Sequence, residues 1–158
     1  ELRGQLAALG APVQHEAVGS SHHSVEETVA RGIHLAHRDP DVARTLPVCL
    51  YRQRSVLDPE RLRQHAAHLG EKQALGFFLE LTAELSGDHR FAEWMKPLRD
   101  RRYKTSRDFF YTASRSRRQH QLAEEKTPDV ARRWLLRMNM DLDAFRSTFE
   151  KFAPYAAT

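Results

Sequence analysis

The stretch from Glu71 to Leu85 carries apolar side chains on two sides of one helix. Leu75, Phe78, Thr82 and Leu85 share one stripe, Ala74, Phe77 and Leu81 share another, and Leu79 broadens the first. A helix that is apolar on several sides sits among other helices rather than on a surface. The pattern therefore predicts a buried central helix near 71–85, stopped by Ser86-Gly87-Asp88, with the rest of the chain packed around it. Gly76 inside it predicts the close approach of a neighbouring backbone, at a cost of about 1 kcal/mol in helix propensity.

Start and stop signals divide the remainder. Ser24 with Glu27 has the spacing of a capping box, and Val25, Val29, Ile33 and Ala36 then form one helical stripe. Asp39-Pro40 and Asp58-Pro59-Glu60 each place a capping aspartate before a proline at the first helical position. Between them, Pro47 allows a kink or turn between a helix from Asp41 to about Leu46 and a second piece from Val48 to Arg54. Gly70 closes the helix that begins at Pro59. Phe91, Trp94, Met95 and Leu98 mark another, bent or ended at Pro97. Thr127-Pro128-Asp129 starts a helix expected to carry Val130, Trp134, Leu135 and Met138 on one face. Asp141 caps the last, whose Leu142, Phe145, Phe149 and Phe152 make a packing seam. Residues 99–120 lack a clean period, and no alternating β-branched run predicts a strand. The expected fold is all-α, an irregular bundle of about six to eight short helices. Residues 1–23 read as an N-terminal arm or linker and 24–158 as a single helical domain. The run Gly19 to Ser24 has the composition of a tag scar, so its histidines carry no functional reading.

At 158 residues the chain is long enough to bury a sizeable core without disulfides. Its one cysteine, Cys49, lies in the apolar run Leu46 to Tyr51 and reads as a small core residue of a reducing compartment. No apolar run approaches the ~18 residues of a membrane span, and no apolar signal core opens the sequence. The expectation is a cytoplasmic chain with no membrane partner. Phosphate loops, Cys-x-x-Cys pairs, nucleophile elbows and dinucleotide fingerprints are absent, so no cofactor and no catalytic residue is assigned.

The net charge of +4 is unevenly spread. Residues 96–120 hold nine basic side chains against two acids, while the rest of the chain is slightly acidic. Arg99-Asp100-Arg101-Arg102-Tyr103-Lys104 and Arg115-Ser116-Arg117-Arg118 flank the aromatic run Phe109-Phe110-Tyr111. Cations for phosphates and flat side chains for bases are what single-stranded nucleic acid requires. Arg99, Arg101, Arg102, Tyr103, Lys104, Arg107, Tyr111, Arg115, Arg117 and Arg118 are therefore the candidate contacts to nucleic acid or an acidic protein. A solvated face anchored by Phe109 and Phe110 is the plain alternative.

Histidines fall in two i, i+3 pairs, His34/His37 and His65/His68, but neither has a glutamate three residues ahead, and no metal is assigned. The spacing of arginine, four to six residues, then histidine occurs at Arg31–His37, Arg61–His68, Arg63–His68 and Arg115–His120. It resembles the motif of the HEPN family of helical RNases, which implies an alternative function as an RNase, with Arg63 and His68 as the favoured pair. Four matches are about what this arginine and histidine content gives by chance. The segment Gln73-Ala74-Leu75-Gly76-Phe77-Phe78-Leu79-Glu80-Leu81 is similar to a helix of the AbiE-type bacterial antitoxins, over nine residues and without their winged-helix start. That resemblance implies a small regulator or antitoxin as one form of a binding module. The reading is thus a non-enzymatic helical module that binds through residues 99–118. A helical RNase and a structural subunit of a larger assembly are the alternatives.

Overall fold

A computed structural model describes residues 2–12, 23–100, 102–110 and 116–156; positions 19–22 of the suspected scar lie outside them. The described residues are mainly helical. In chain order they form α1 (Leu2–Ala8), α2 (Val25–Ala36), α3 (Pro40–Arg52), α4 (Pro59–His68), α5 (Lys72–Ser86), α6 (His89–Met95), β1 (Arg107–Phe109), α7 (Arg117–Lys126), α8 (Asp129–Arg133), β2 (Leu136–Met138) and α9 (Leu142–Phe152). This is the expected irregular all-α bundle with one small addition, a two-stranded parallel sheet.

The boundaries follow local chemistry. Asp39, Asp58, Asp88 and Asp141 each accept backbone N–H groups at the start of α3, α4, α6 and α9. Gly70 and Gly87 leave α4 and α5 with φ of +72°, a conformation that costs a side-chain-bearing residue about 1–2 kcal/mol. Only half of the capping box forms: Ser24 Oγ accepts the Glu27 N–H at 3.1 Å, while the Glu27 carboxylate pairs with Arg31 and His23.

Three expectations are corrected. Pro47 does not divide α3. Val42, Ala43, Leu46, Val48, Cys49 and Leu50 are all buried around it, and that packing outweighs the hydrogen bond proline forfeits. The segment after Asp129 is not one helix. It leaves α8 at Trp134, turns through Leu135 at φ +58°, and becomes β2. Strands do exist: β1 pairs with β2 in register Arg107 to Leu136, Asp108 to Arg137 and Phe109 to Met138. Parallel strands need a long crossover, and α7 with α8 supply it.

α5 lies at the centre, as its two apolar stripes require. Ala74, Leu75, Phe77, Phe78, Leu79 and Leu81 are all buried. Phe77 meets Phe78, Phe109 and Phe145 at ring-centroid distances of 4.8, 6.5 and 6.0 Å. α1 joins the same core through Leu6, which nests over Gly32 of α2. At Gly76 the close neighbour is a side chain rather than a backbone: a methyl group there would overlap the benzo ring of Trp134. No described helix is long and apolar enough to cross a membrane.

Candidate functional site

The described part of the basic segment runs as a strap across α5, from the end of α6 to β1. At its start, Asp100 accepts the Arg102 N–H at 2.9 Å and the Arg102 guanidinium at 2.8 Å, which folds the chain into a tight turn. Those bonds hold the Asp100 carboxyl down at about 2. Gln73 Nε2, from α5, donates to Thr105 O at 3.2 Å and to Trp134 O at 2.6 Å, tying the strap and the α8–β2 turn to one side chain. Farther on, the Phe110 N–H donates to His37 O at 2.7 Å. Phe109 is fully buried and its ring stacks on His37 at 4.1 Å.

α5 presents two carboxylates to this strap. Glu71, just before its first turn, is completely buried. Its Oε1 accepts from Arg107 Nη1 at 2.7 Å and lies 2.9 Å from His37 Nε2, while Oε2 lies 3.1 Å from His34 Nδ1. Arg107 Nη1 also donates to Gly70 O at 2.9 Å. Burial pushes the Glu71 carboxyl up, but the His37 hydrogen bond and charge, the Arg107 charge and the His34 hydrogen bond outweigh it. The net shift is downward, so Glu71 stays ionised and both imidazoles donate to it.

Glu80, about two and a half turns along the helix, is only 7% exposed. It meets Arg133 at 3.3 Å through three contacts and Arg99 at 3.6 Å. These are long for charge-assisted bonds, which close to about 2.7–2.9 Å when unhindered. Arg133 makes its short bond to Glu84, at 2.8 Å. Beside Glu80 an open pocket of about 630 Å³ is lined by Glu80, Arg99, Asp100, Tyr103, Arg133, Trp134 and Leu135. Tyr103 and Trp134 form its aromatic wall, ring centroids 6.3 Å apart and tilted by 48°. Tyr103 Oη and Trp134 Nε1 are both enclosed and make no hydrogen bond within the described protein. Burial also pushes the Tyr103 phenol up, so it remains a neutral donor.

The candidate contacts divide accordingly. Arg107 is an internal anchor on Glu71. Arg99 and Tyr103 face the Glu80 pocket. Arg102 is bound to Asp100 yet 89% exposed. Lys104, Arg117 and Arg118 are exposed, with no acidic partner among the described residues. Arg101, Tyr111 and Arg115 lie outside the described residues. Of the aromatic run, Phe109 belongs to the core and Phe110, at φ +68°, is half-buried. Tyr103 is a pocket wall rather than a free stacking platform.

Sequence reading missed Glu71, Glu80, Arg133 and Trp134. The available signal was the placing of two glutamates on the most apolar helix, where a charge requires a partner. His34 and His37 do share a face, but a distant glutamate joins them, not one at ligand spacing. No described cluster of His, Cys, Asp or Glu is arranged to hold a metal ion. Of the favoured RNase pair, Arg63 donates to Trp94 O at 3.3 Å and His68 lies exposed in the last turn of α4. Burial pushes the Cys49 thiol up to about 12, which leaves it inert at neutral pH. Comparison with protein-family models, curated proteins and solved structures finds no match to this chain.

Proposed function

We propose that the chain is a non-enzymatic binding module that takes nucleic acid on the exposed cations of its strap and of the start of α7. One observation carries this reading. Lys104, Arg117 and Arg118 stand exposed without acidic partners among the described residues, in a molecule that pairs most of its described arginines internally. Two of the three open α7, where the helix dipole disfavours cations and no acid in the first turn compensates them. A phosphate at that end would meet both the guanidinium groups and the unpaired N–H groups of the first turn. Arg99 and Arg102 extend the same charge along the strap. A small regulator acting in the cytoplasm is the cellular form of this reading.

Three phosphate contacts give a salt slope of roughly −2.7 on duplex DNA and −2.1 on a single strand. Fluorescence anisotropy with labelled duplex DNA, single-stranded DNA and RNA measures it. Replacing Lys104, Arg117 and Arg118 by Ala should flatten the slope and leave the folding transition in place. Absence of binding to all three nucleic acids at about 50 mM salt, where phosphate contacts are strongest, overturns the reading. Capture of an acidic protein that the triple variant loses would replace it with the protein-partner reading.

One observation favours the RNase alternative, on residues other than Arg63 and His68. The His34 side chain is 53% exposed, and its Nδ1 is held by the buried Glu71. With Nδ1 engaged by Glu71, Nε2 is the ring nitrogen left to meet a substrate, the placing of a general base. Purified protein that cleaves RNA, and a folded His34→Ala variant that does not, would establish it. Wild-type protein that leaves RNA intact removes it.

A further inference from the structure

We infer that the Glu80 pocket is a nucleotide-binding subsite, with phosphate on Arg99 and Arg133 and the base against Tyr103 and Trp134. For its source of ligand this rests on the nucleic-acid reading; the chemistry of the pocket is independent of it.

The first argument is the pair of orphaned polar atoms. A buried donor without a partner costs about 1–3 kcal/mol, and native structures contain few of them. Here two belong to side chains that line one cavity, Tyr103 Oη and Trp134 Nε1. The benzo edge of Trp134 is pressed on Gly76, so the opposite edge, which carries the N–H, is turned away from α5. A ligand atom that meets this N–H has to be an acceptor. The phenol beside it both donates and accepts. Ring nitrogens and carbonyls of a nucleobase supply that mixture on one planar edge.

The second argument is the slack ion pairing. Glu80 holds Arg133 at 3.3 Å and Arg99 at 3.6 Å, and these side chains are 50% and 65% exposed. Two guanidinium groups therefore sit at the pocket: Arg99 is held only loosely by Glu80, and Arg133 makes its one short bond to Glu84 at 2.8 Å. A phosphate there would accept forked bonds that Glu80 does not saturate, and guanidinium geometry suits that recognition. Glu80 remains beneath, as an acceptor for an N–H of the ligand. The third argument is size. A volume of about 630 Å³ lies within the range of small-molecule sites and admits one nucleotide. Asp100, which binds the exposed Arg102, lines the pocket, and a single nucleotide of a bound strand and a free mononucleotide offer it the same chemistry.

The test uses the full chain labelled with ¹⁵N and follows its two indole N–H resonances, from Trp94 and Trp134, with Trp94→Phe to assign them. Probes are the ribonucleoside monophosphates, the matching nucleosides, inorganic phosphate and a single-stranded oligonucleotide. A monophosphate should move the Trp134 resonance and leave that of Trp94 in place. Arg99→Ala, at an exposed position, should weaken that binding about tenfold or more. Tyr103→Phe removes one oxygen and should weaken it several-fold while the fold is retained. If only the oligonucleotide moves Trp134, with the same sensitivity to Arg99→Ala, the ligand is a nucleotide of a strand. Inorganic phosphate binding as tightly as the monophosphates overturns the inference, because the aromatic wall then contributes nothing. A Trp134 resonance unmoved by monophosphates and oligonucleotide alike also overturns it. If that oligonucleotide still binds, the surface reading survives its loss. Monophosphate binding by a protein that takes up no oligonucleotide separates the two in the other direction.

Discussion

Glu71 and Glu80 lie at the start and in the middle of one helical segment, both nearly shut off from water, and both face arginine. Their surroundings differ in one respect, the tightness of pairing. Glu71 takes three partners between 2.7 and 3.1 Å and has no exposed surface. Glu80 takes longer contacts beside an open pocket with two orphaned polar atoms. A buried charge is tolerated when it is fully hydrogen-bonded, and incomplete bonding is costly unless something else completes it. Glu71 is therefore a latch: it closes the strap over α2 and α5. Glu80 is a half-satisfied seat, the condition of a site that awaits a ligand. The same contrast explains why arginines eight residues apart in one segment, Arg99 and Arg107, serve different ends.

The comparison breaks first if α5 is not the common support. Phe78→Ala should leave a cavity costing ~3–5 kcal/mol and loosen both ends together. An unchanged urea midpoint would sink the central placement of this helix.

Glu71→Gln comes next, at about 3 kcal/mol, because it removes the shared acceptor of His34, His37 and Arg107. Its effect should depend on pH. The Glu71 carboxyl lies below its ordinary value in the folded chain, so the unfolded chain takes up that proton first as pH falls. The stabilisation is fully present above about pH 4.3 and is lost as pH falls through the folded value. Urea titrations of wild type and variant should therefore converge in acid. A gap that stays constant there would show that the carboxylate charge is not what holds the strap.

Gly76→Ala should cost ~1–3 kcal/mol by overpacking, since the new methyl displaces the Trp134 ring. Near-ultraviolet circular dichroism, which senses the packing of tryptophan, should change with it. A variant with native stability and spectrum would mean that Trp134 is free to move, and the pocket wall would lose its fixed geometry.

Glu80→Gln has the smallest expected effect, under about 1 kcal/mol, because Arg99 and Arg133 remain half in water when it is gone. A loss as large as that of Glu71→Gln would erase the distinction between latch and seat.

Sequence alone determined the helical scaffold. The capping aspartates at 39, 58 and 141, the glycines at 70 and 87 and the stripes of α5 act within one or two turns, so their meaning is readable in place. It also located the charge, since Lys104, Arg117 and Arg118 belong to the segment singled out by its basic excess. Tertiary structure decided what each of those side chains does. Arg107 meets Glu71 from 36 positions away, and Arg133 meets Glu80 from 53. β1 exists because a three-residue run found β2 beyond two helices, and neither strand has enough alternating pattern to announce itself. Pro47 stayed inside a helix because the core closed around it. Local signals report short-range hydrogen bonding and amphipathic period. Which acid neutralises which base, and which polar atom is left without a partner, is settled only when distant segments are packed against one another.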